Sequence, residues 1–148
     1  MQFGKGLSAD EEPDLWQKDL TGAIELWIEV GQPDERRLLK ACGRASKVVV
    51  YSYGSNSSIW WNQISGRVER AKNLIAFNLS PAVSLALAKL AQRSMQLQCT
   101  IQDGQTWISA GGETIQVDLT MTKGASEERR LAAPNGPVPG RCNLRALR

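Results

Sequence analysis

The chain has 148 residues, of which 42% are apolar and 22% charged, and its formal net charge is +3. This length favours one compact domain with a sizeable core, while the lack of a long apolar run or leader pattern excludes a membrane span and predicts a cytoplasmic location. The sequence has three widely spaced cysteines and no histidine, which excludes a disulfide framework, histidine-based catalytic triads and the common zinc sites.

The first predicted elements form a strand–helix–strand unit. Residues 24–30 alternate strictly, which predicts a strand with a dry face and an open face. The dry face carries Ile24, Leu26, Ile28 and Val30, and the open face carries Glu25, Trp27 and Glu29. Pro33-Asp34-Glu35 predicts a helix start, and apolar residues at helical spacing continue the helix to about Ser46. The run 47–53 predicts a buried strand, parallel to the first because a helix connects them.

Further elements are predicted by local patterns: short strands at 59–61 and 74–77, a helix beginning at Ser80-Pro81, and hairpin alternation over 95–121. The first of these strands would place Trp60 and Trp61 on opposite faces. The fold class is therefore α/β or α+β, with a mixed β-sheet and flanking helices.

Charge and composition divide the chain after residue 123. Residues 1–123 carry 13 basic and 13 acidic side chains, whereas 124–148 carry five arginines, two glutamates and half of the six prolines. The sequence thus predicts an ordered body over 1–123 and a disordered, basic, proline- and arginine-rich tail over 124–148. Such a tail is either a nucleic-acid contact or an unstructured end without function.

Two carboxylates in the body have the spacing of a metal site. Asp14 follows Pro13, and Glu29 comes after a further fourteen residues, on a strand that leads directly into a helix. Mg²⁺ prefers oxygen ligands, needs only one or two protein carboxylates and activates water at a phosphodiester. This is the arrangement of the PD-(D/E)xK nucleases, with Glu25 as an alternative ligand. In the other interpretation, Glu25 and Glu29 only solvate the open face of a half-buried strand.

A set of longer segments carries a family resemblance: residues 10–16, 24–37, 40–42, 60–61, 101–104 and 107–109. Together they resemble the YaeQ family of bacterial proteins over roughly residues 2–123. The resemblance implies a variant of the PD-(D/E)xK, restriction-endonuclease-like fold. Family members carry several tens of residues before the point that corresponds to Met1. We therefore expect an N-terminally truncated domain whose uncovered sheet promotes self-association.

The lysine of the nuclease motif is absent, because Gly31 stands two residues after Glu29. A bulge at Gly31 would turn Gln32 toward Glu29, where its amide would orient an attacking water. The following helix carries a basic face that points away from its apolar face and consists of Arg36, Arg37, Lys40 and Arg44. This face is either a sequence-independent phosphate contact or a solvated helix surface.

These patterns lead to two hypotheses. In the first, the protein is a Mg²⁺-dependent, nuclease-like domain acting on DNA or RNA phosphodiesters, with Asp14 and Glu29 holding the ion and Gln32 positioning water. In the second, it is a catalytically inactive nuclease-fold module that binds nucleic acid or a protein partner. The paired carboxylates favour the first hypothesis, whereas Gly31 at the lysine position and the neutral body favour the second.

Overall fold

The computed structural model describes residues 1–4 and 12–124, and the backbone of residues 141–145. The described elements, in chain order, are β1 (Gln2–Phe3), β2 (Leu15–Lys18), β3 (Ile24–Val30), α1 (Glu35–Arg44), β4 (Ala45–Tyr53), α2 (Ser57–Val68), β5 (Leu74–Leu79), α3 (Pro81–Leu90), β6 (Gln96–Gln102), β7 (Gln105–Ala110), β8 (Glu113–Val117), β9 (Leu119–Lys123) and β10 (Arg141–Arg145). They form two compact units, the first spanning residues 1–78 and resuming at Thr120, the second spanning Leu79–Leu119 and including β10.

The first unit contains a six-stranded sheet in the order β1-β2-β3-β4-β5-β9. Strand β3 pairs antiparallel with β2 and parallel with β4, so the predicted mixed sheet is confirmed. The predicted strand–helix–strand unit is also confirmed, as β3, α1 and β4. Helix α1 begins where Asp34 caps it by accepting a hydrogen bond from the Arg37 backbone N–H at 2.8 Å.

Strand β3 buries the face that the sequence predicts to be open. Trp27 and Glu29 are only 2% and 3% exposed, whereas Val30 on the opposite face is 49% exposed. Trp27 belongs to the core that the sheet forms with α1 and α2, together with Leu38, Val48, Val50, Trp60, Ile64, Val68 and Leu74. The indole is the largest apolar group on the strand, and its burial carries Glu29 into the core two residues later. The predicted assignment of dry and open faces is therefore wrong for Trp27, Glu29 and Val30, whereas Glu25 is exposed as predicted.

The predicted strand at residues 59–61 is also wrong, because these residues lie in helix α2. The buried residues of α2 are Ser57, Trp60, Ile64 and Val68, which recur at three- and four-residue intervals. Neighbouring helical residues point only about 100° apart, so Trp60 and Trp61 do not lie on opposite faces, and their ring centroids are 5.8 Å apart. Strand β5, which follows, confirms the strand predicted at residues 74–77.

The second unit combines helix α3 with an antiparallel sheet in the order β10-β6-β7-β8. The predicted helix start is confirmed, since the Ser80 hydroxyl accepts a hydrogen bond from the Val83 N–H at 3.3 Å. Asp103 and Gly104 turn the chain between β6 and β7 with φ angles of 52° and 77°. The alternation predicted through residue 121 is interrupted at Asp118, and the residues beyond it form β9, in the other sheet.

Most of the predicted disordered tail lies outside the described residues. The structure gives Arg141–Arg145 as strand β10, paired with β6, which differs from the prediction over those five residues. The disorder predicted elsewhere in residues 124–148 stays a prediction. No helix within the described ranges is long and apolar enough to cross a membrane.

Candidate functional site

Asp14 and Glu29, the two carboxylates singled out by the sequence, lie directly before β2 and near the end of β3. The register pairs Leu15 with Ile28, and one further step along both strands places Asp14 opposite Glu29. Asp14 is exposed, and its Oδ2 accepts a hydrogen bond from the Val30 backbone N–H at 2.7 Å. The structure therefore brings Asp14 and Glu29 to neighbouring positions, although their environments differ.

Glu29 is a buried carboxylate whose partners are provided by the core. Its Oε1 accepts hydrogen bonds from Trp27 Nε1 at 2.7 Å and from Arg37 Nε at 2.9 Å. The Glu29 side chain is 4% exposed and that of Arg37 27%. Arg37 also donates from Nη2 to the Glu12 backbone oxygen at 2.7 Å. A buried charge is tolerated when it is paired and hydrogen-bonded, and Arg37 provides this compensation.

This arrangement fits an ion pair better than a Mg²⁺ site. Mg²⁺ requires oxygen ligands at about 2.0–2.1 Å in near-octahedral geometry, and the guanidinium of Arg37 occupies the space beside Glu29 Oε1 with its own positive charge. No group of three or more histidine, cysteine, aspartate or glutamate side chains suited to a metal occurs among the described residues. With Arg37 in place, Glu29 Oε1 is already occupied by two nitrogen donors, so a Mg²⁺ ion at this oxygen would have to displace the Arg37 guanidinium.

The other two predicted site residues lie apart from this pair. Glu25 is exposed and accepts a hydrogen bond from Gln17 Nε2 at 3.0 Å. It precedes Glu29 by four residues, which is about 13 Å along a strand, so the two carboxylates do not share one ion. Gln32 donates from Nε2 to the Tyr53 backbone oxygen at 2.9 Å, after the end of β3.

The bulge that Gly31 would permit is not observed. The pairing of β3 with β4 is regular from Leu26 to Val30, and the Gly31 N–H donates to the Tyr51 oxygen at 2.9 Å. The positive φ of Gly31, 116°, ends the strand instead of bulging it. The chain then leads Gln32 toward β4 and away from Glu29.

The predicted basic face of α1 divides into an outer and an inner part. Arg36, Lys40 and Arg44 are exposed and span an arc of roughly 80° on the helix surface; we call these three residues the basic arc. Arg37, in contrast, turns toward β3 and binds Glu29. Arg44 also lies against the core, with its guanidinium carbon 5.7 Å from the centre of the Trp27 ring.

A row of aromatic and cationic side chains extends the site across β2, a strand that the sequence reasoning missed. Trp16 pairs with Trp27 in the register, and their rings meet edge to face at 6.3 Å and 89°. Lys18 Nζ lies 3.7 Å from the centre of the Trp16 ring. One sequence signal could have indicated this pairing: Trp16 follows Asp14 by two residues, and Trp27 precedes Glu29 by two residues, as expected for two antiparallel strands.

Known proteins similar to this chain carry one family name. A family model described as "YaeQ protein" matches residues 1–119. The "Uncharacterized protein YaeQ" of Salmonella typhi is 41% identical over 121 residues, covering 81% of this chain and 67% of that protein. Its counterpart from Escherichia coli (strain K12) is 40% identical over the same coverage.

Two crystal structures show the same similarity in three dimensions. The YaeQ protein from Xanthomonas axonopodis pv. citri superimposes with a TM-score of 0.77 at 39% identity, over 82% of this chain and 70% of that one. The YaeQ protein from Pseudomonas syringae gives a TM-score of 0.77 at 31% identity, over 83% and 68% of the two chains.

Proposed function

Since the chain belongs to the YaeQ family, we propose that it is a variant of the PD-(D/E)xK nuclease fold that binds nucleic acid without cleaving it. The fold part of this proposal is supported by the mixed sheet with its flanking helices, and by the position of Asp14, which directly precedes β2 and accepts a hydrogen bond from the Val30 N–H of β3. The function part is supported by the surroundings of Glu29 and by the basic arc.

The observation that carries the proposal is the pairing of Glu29 with Arg37. A nuclease of this type uses its carboxylate charge to attract a divalent ion and a nearby lysine to stabilise the attacked phosphate. Here Arg37 Nε lies 2.9 Å from Glu29 Oε1 and neutralises that charge, and Gly31 offers no side chain at the lysine position. Glu29, the buried carboxylate that would hold the ion, is thus engaged in holding α1 against β3.

The surface around this pair provides contacts for a polyanion. Because Arg37 compensates Glu29, this buried carboxylate adds little repulsion against a phosphate at the basic arc. Lysine and arginine contacts to phosphates bind nucleic acid without sequence preference. Trp16 is half-buried beside Lys18, and aromatic side chains next to cations are typical of surfaces that bind single strands.

The experiment is a fluorescence anisotropy titration with labelled single-stranded and duplex DNA and RNA over roughly 50 to 200 mM salt. We expect salt-dependent binding that the double substitution Arg36→Ala/Lys40→Ala weakens. For a single strand the plot of log K against log salt should become less steep by about 1.4 in the double variant, because two phosphate contacts are lost. Arg93→Ala removes an exposed arginine in the second unit and is the matched control. Absence of binding, or an equal loss in Arg93→Ala, would overturn the proposal.

A second candidate, metal-dependent cleavage, is favoured by one observation, the juxtaposition of Asp14 and Glu29. It requires Arg37 to leave Glu29 before Mg²⁺ is held, and Gln32 to leave the Tyr53 oxygen. Incubation of plasmid and single-stranded substrates with and without Mg²⁺ or Mn²⁺ separates the two candidates. We expect no metal-dependent cleavage, whereas cleavage that is lost in both Asp14→Asn and Glu29→Gln would establish the enzyme.

A further inference from the structure

An open groove of about 640 Å³ lies between the start of α1 and helix α2 in the first unit. Its apolar part is formed by Trp60 and Ile64, which are 9% and 7% exposed and belong to the core. Trp60 is fixed there because its Nε1 donates to the Pro33 backbone oxygen at 2.8 Å. The volume is within the range of sites that hold a small organic ligand, roughly 300–1,000 Å³.

The polar lining of the groove consists of two glutamines, two acids and two arginines: Gln32, Gln63, Asp34, Glu35, Arg36 and Arg67. Both acidic side chains of the lining are already engaged, since Asp34 caps α1 and Glu35 pairs with Arg67. Gln32 and Gln63 each contribute an amide, which combines hydrogen-bond donors and an acceptor, although Gln32 Nε2 already donates to the Tyr53 backbone oxygen. An apolar floor with amides around it suits a flat ligand that has polar atoms along its edge.

Arg36 belongs both to this groove and to the basic arc. A phosphate bound at Arg36 would leave the attached nucleoside beside the groove. We infer that the groove receives one unpaired nucleobase of a single strand whose phosphates contact the basic arc. This inference rests on the proposed function and adds a preference to it. Bases in a duplex are stacked and paired, so a single strand should fill the groove and a duplex should not.

The probe is a pair of labelled oligonucleotides of equal length, one of thymidines and one fully abasic, which present the same phosphates. We expect the wild-type protein to bind the thymidine strand roughly tenfold more tightly, since one seated base contributes about 1–3 kcal/mol. Gln63 is exposed on α2 and lines the groove. Gln63→Trp should therefore fill the groove and bring the ratio of the affinities for the thymidine strand and the abasic strand close to one. Gln63→Ala, which removes only the amide, should lower the ratio by a smaller factor.

Asn62→Trp is the matched control, because Asn62 is an exposed neighbour of Gln63 in α2 that does not line the groove. This variant should keep the wild-type ratio. Equal binding of both strands by the wild-type protein would overturn the nucleobase inference while leaving the proposed function in place. Failure to bind either strand would overturn both. A ratio that survives in Gln63→Trp would assign the base preference to another surface and contradict the inference.

Discussion

Glu29 and Arg37 join β3 to α1 through a buried carboxylate and a half-buried guanidinium. Exposed ion pairs stabilise proteins by about 0–1 kcal/mol, whereas removing one partner of a buried pair costs about 3–5 kcal/mol because the other charge stays buried. The partial exposure of Arg37 lowers this cost. The pair is therefore a structural contact, and its loss leaves the Glu29 charge buried in the core without compensation.

We expect Arg37→Met to lower the free energy of unfolding by about 2–3 kcal/mol, measured by urea denaturation. Adding Glu29→Gln to this variant should restore part of the loss, since the buried negative charge is then gone. Arg36→Met is the control on the adjacent exposed residue and should change stability by less than about 0.5 kcal/mol. Equal effects of Arg37→Met and Arg36→Met would show that the pair is not structural.

Cys42 provides a test that depends on pH. Burial raises the pKa of the Cys42 thiol from 9.0 to about 11, an effect that nearby Lys123 partly offsets. Because the folded pKa lies above the unfolded one, this contribution to stability is complete below pH 9 and is lost as the pH rises toward 11. We expect wild-type protein to lose stability between these pH values more steeply than Cys42→Ala. Parallel curves for wild type and Cys42→Ala would contradict the assignment.

Two glycines, Gly31 directly after β3 and Gly43 near the end of α1, separate backbone strain from helix propensity. Gly31 has a φ of 116°, whereas Gly43 lies within the helix, and a Cβ at either position would meet nothing within 4 Å. We expect Gly31→Ala to destabilise the protein by about 1–2 kcal/mol through backbone strain alone. Gly43→Ala should stabilise it by up to about 1 kcal/mol. Changes of the same sign in urea denaturation would refute this distinction.

The elements show which parts of the fold can be predicted from local patterns. The unit β3–α1–β4 was predicted because strict alternation, a proline-acid helix start and a β-branched run each stand in one short segment. Helix α2 was missed because Ile59-Trp60-Trp61 has high β propensity, and its helical period appears only when Ile64 and Val68 are included. Strand β2 was missed because four residues, half of them exposed, carry little alternation.

The residues of the candidate site were selected from local spacing, whereas their side-chain partners were not predicted. The spacing of the nuclease motif was sufficient to select Asp14 and Glu29, although β2, which follows Asp14, was not recognised. The inward turn of Arg37 depends on which face of β3 is buried, and alternation identifies a strand without identifying its buried face. The site roles assigned to Asp14, Glu29 and Gln32 stay predictions, whereas the pairing of Glu29 with Arg37 depends on the packing of Trp27 against α1.

Charge across the whole molecule limits the strength of the proposed binding. The body carries equal numbers of acidic and basic side chains, so long-range attraction of a polyanion is weak. Binding must then come from the local contacts of the basic arc and the groove, and should be more sensitive to single substitutions there than in a strongly basic protein.

The central claim is that Arg37 holds Glu29 and keeps this carboxylate from binding a metal ion. Its most direct test is a Mn²⁺ titration followed by electron paramagnetic resonance, which measures the concentration of free Mn²⁺. If Arg37 holds Glu29, wild type and the Asp14→Asn/Glu29→Gln double variant should take up the same amount of Mn²⁺ at millimolar concentration. Uptake of one Mn²⁺ per wild-type chain, lost in Asp14→Asn and in Glu29→Gln separately, would contradict the account and restore the metal-dependent nuclease.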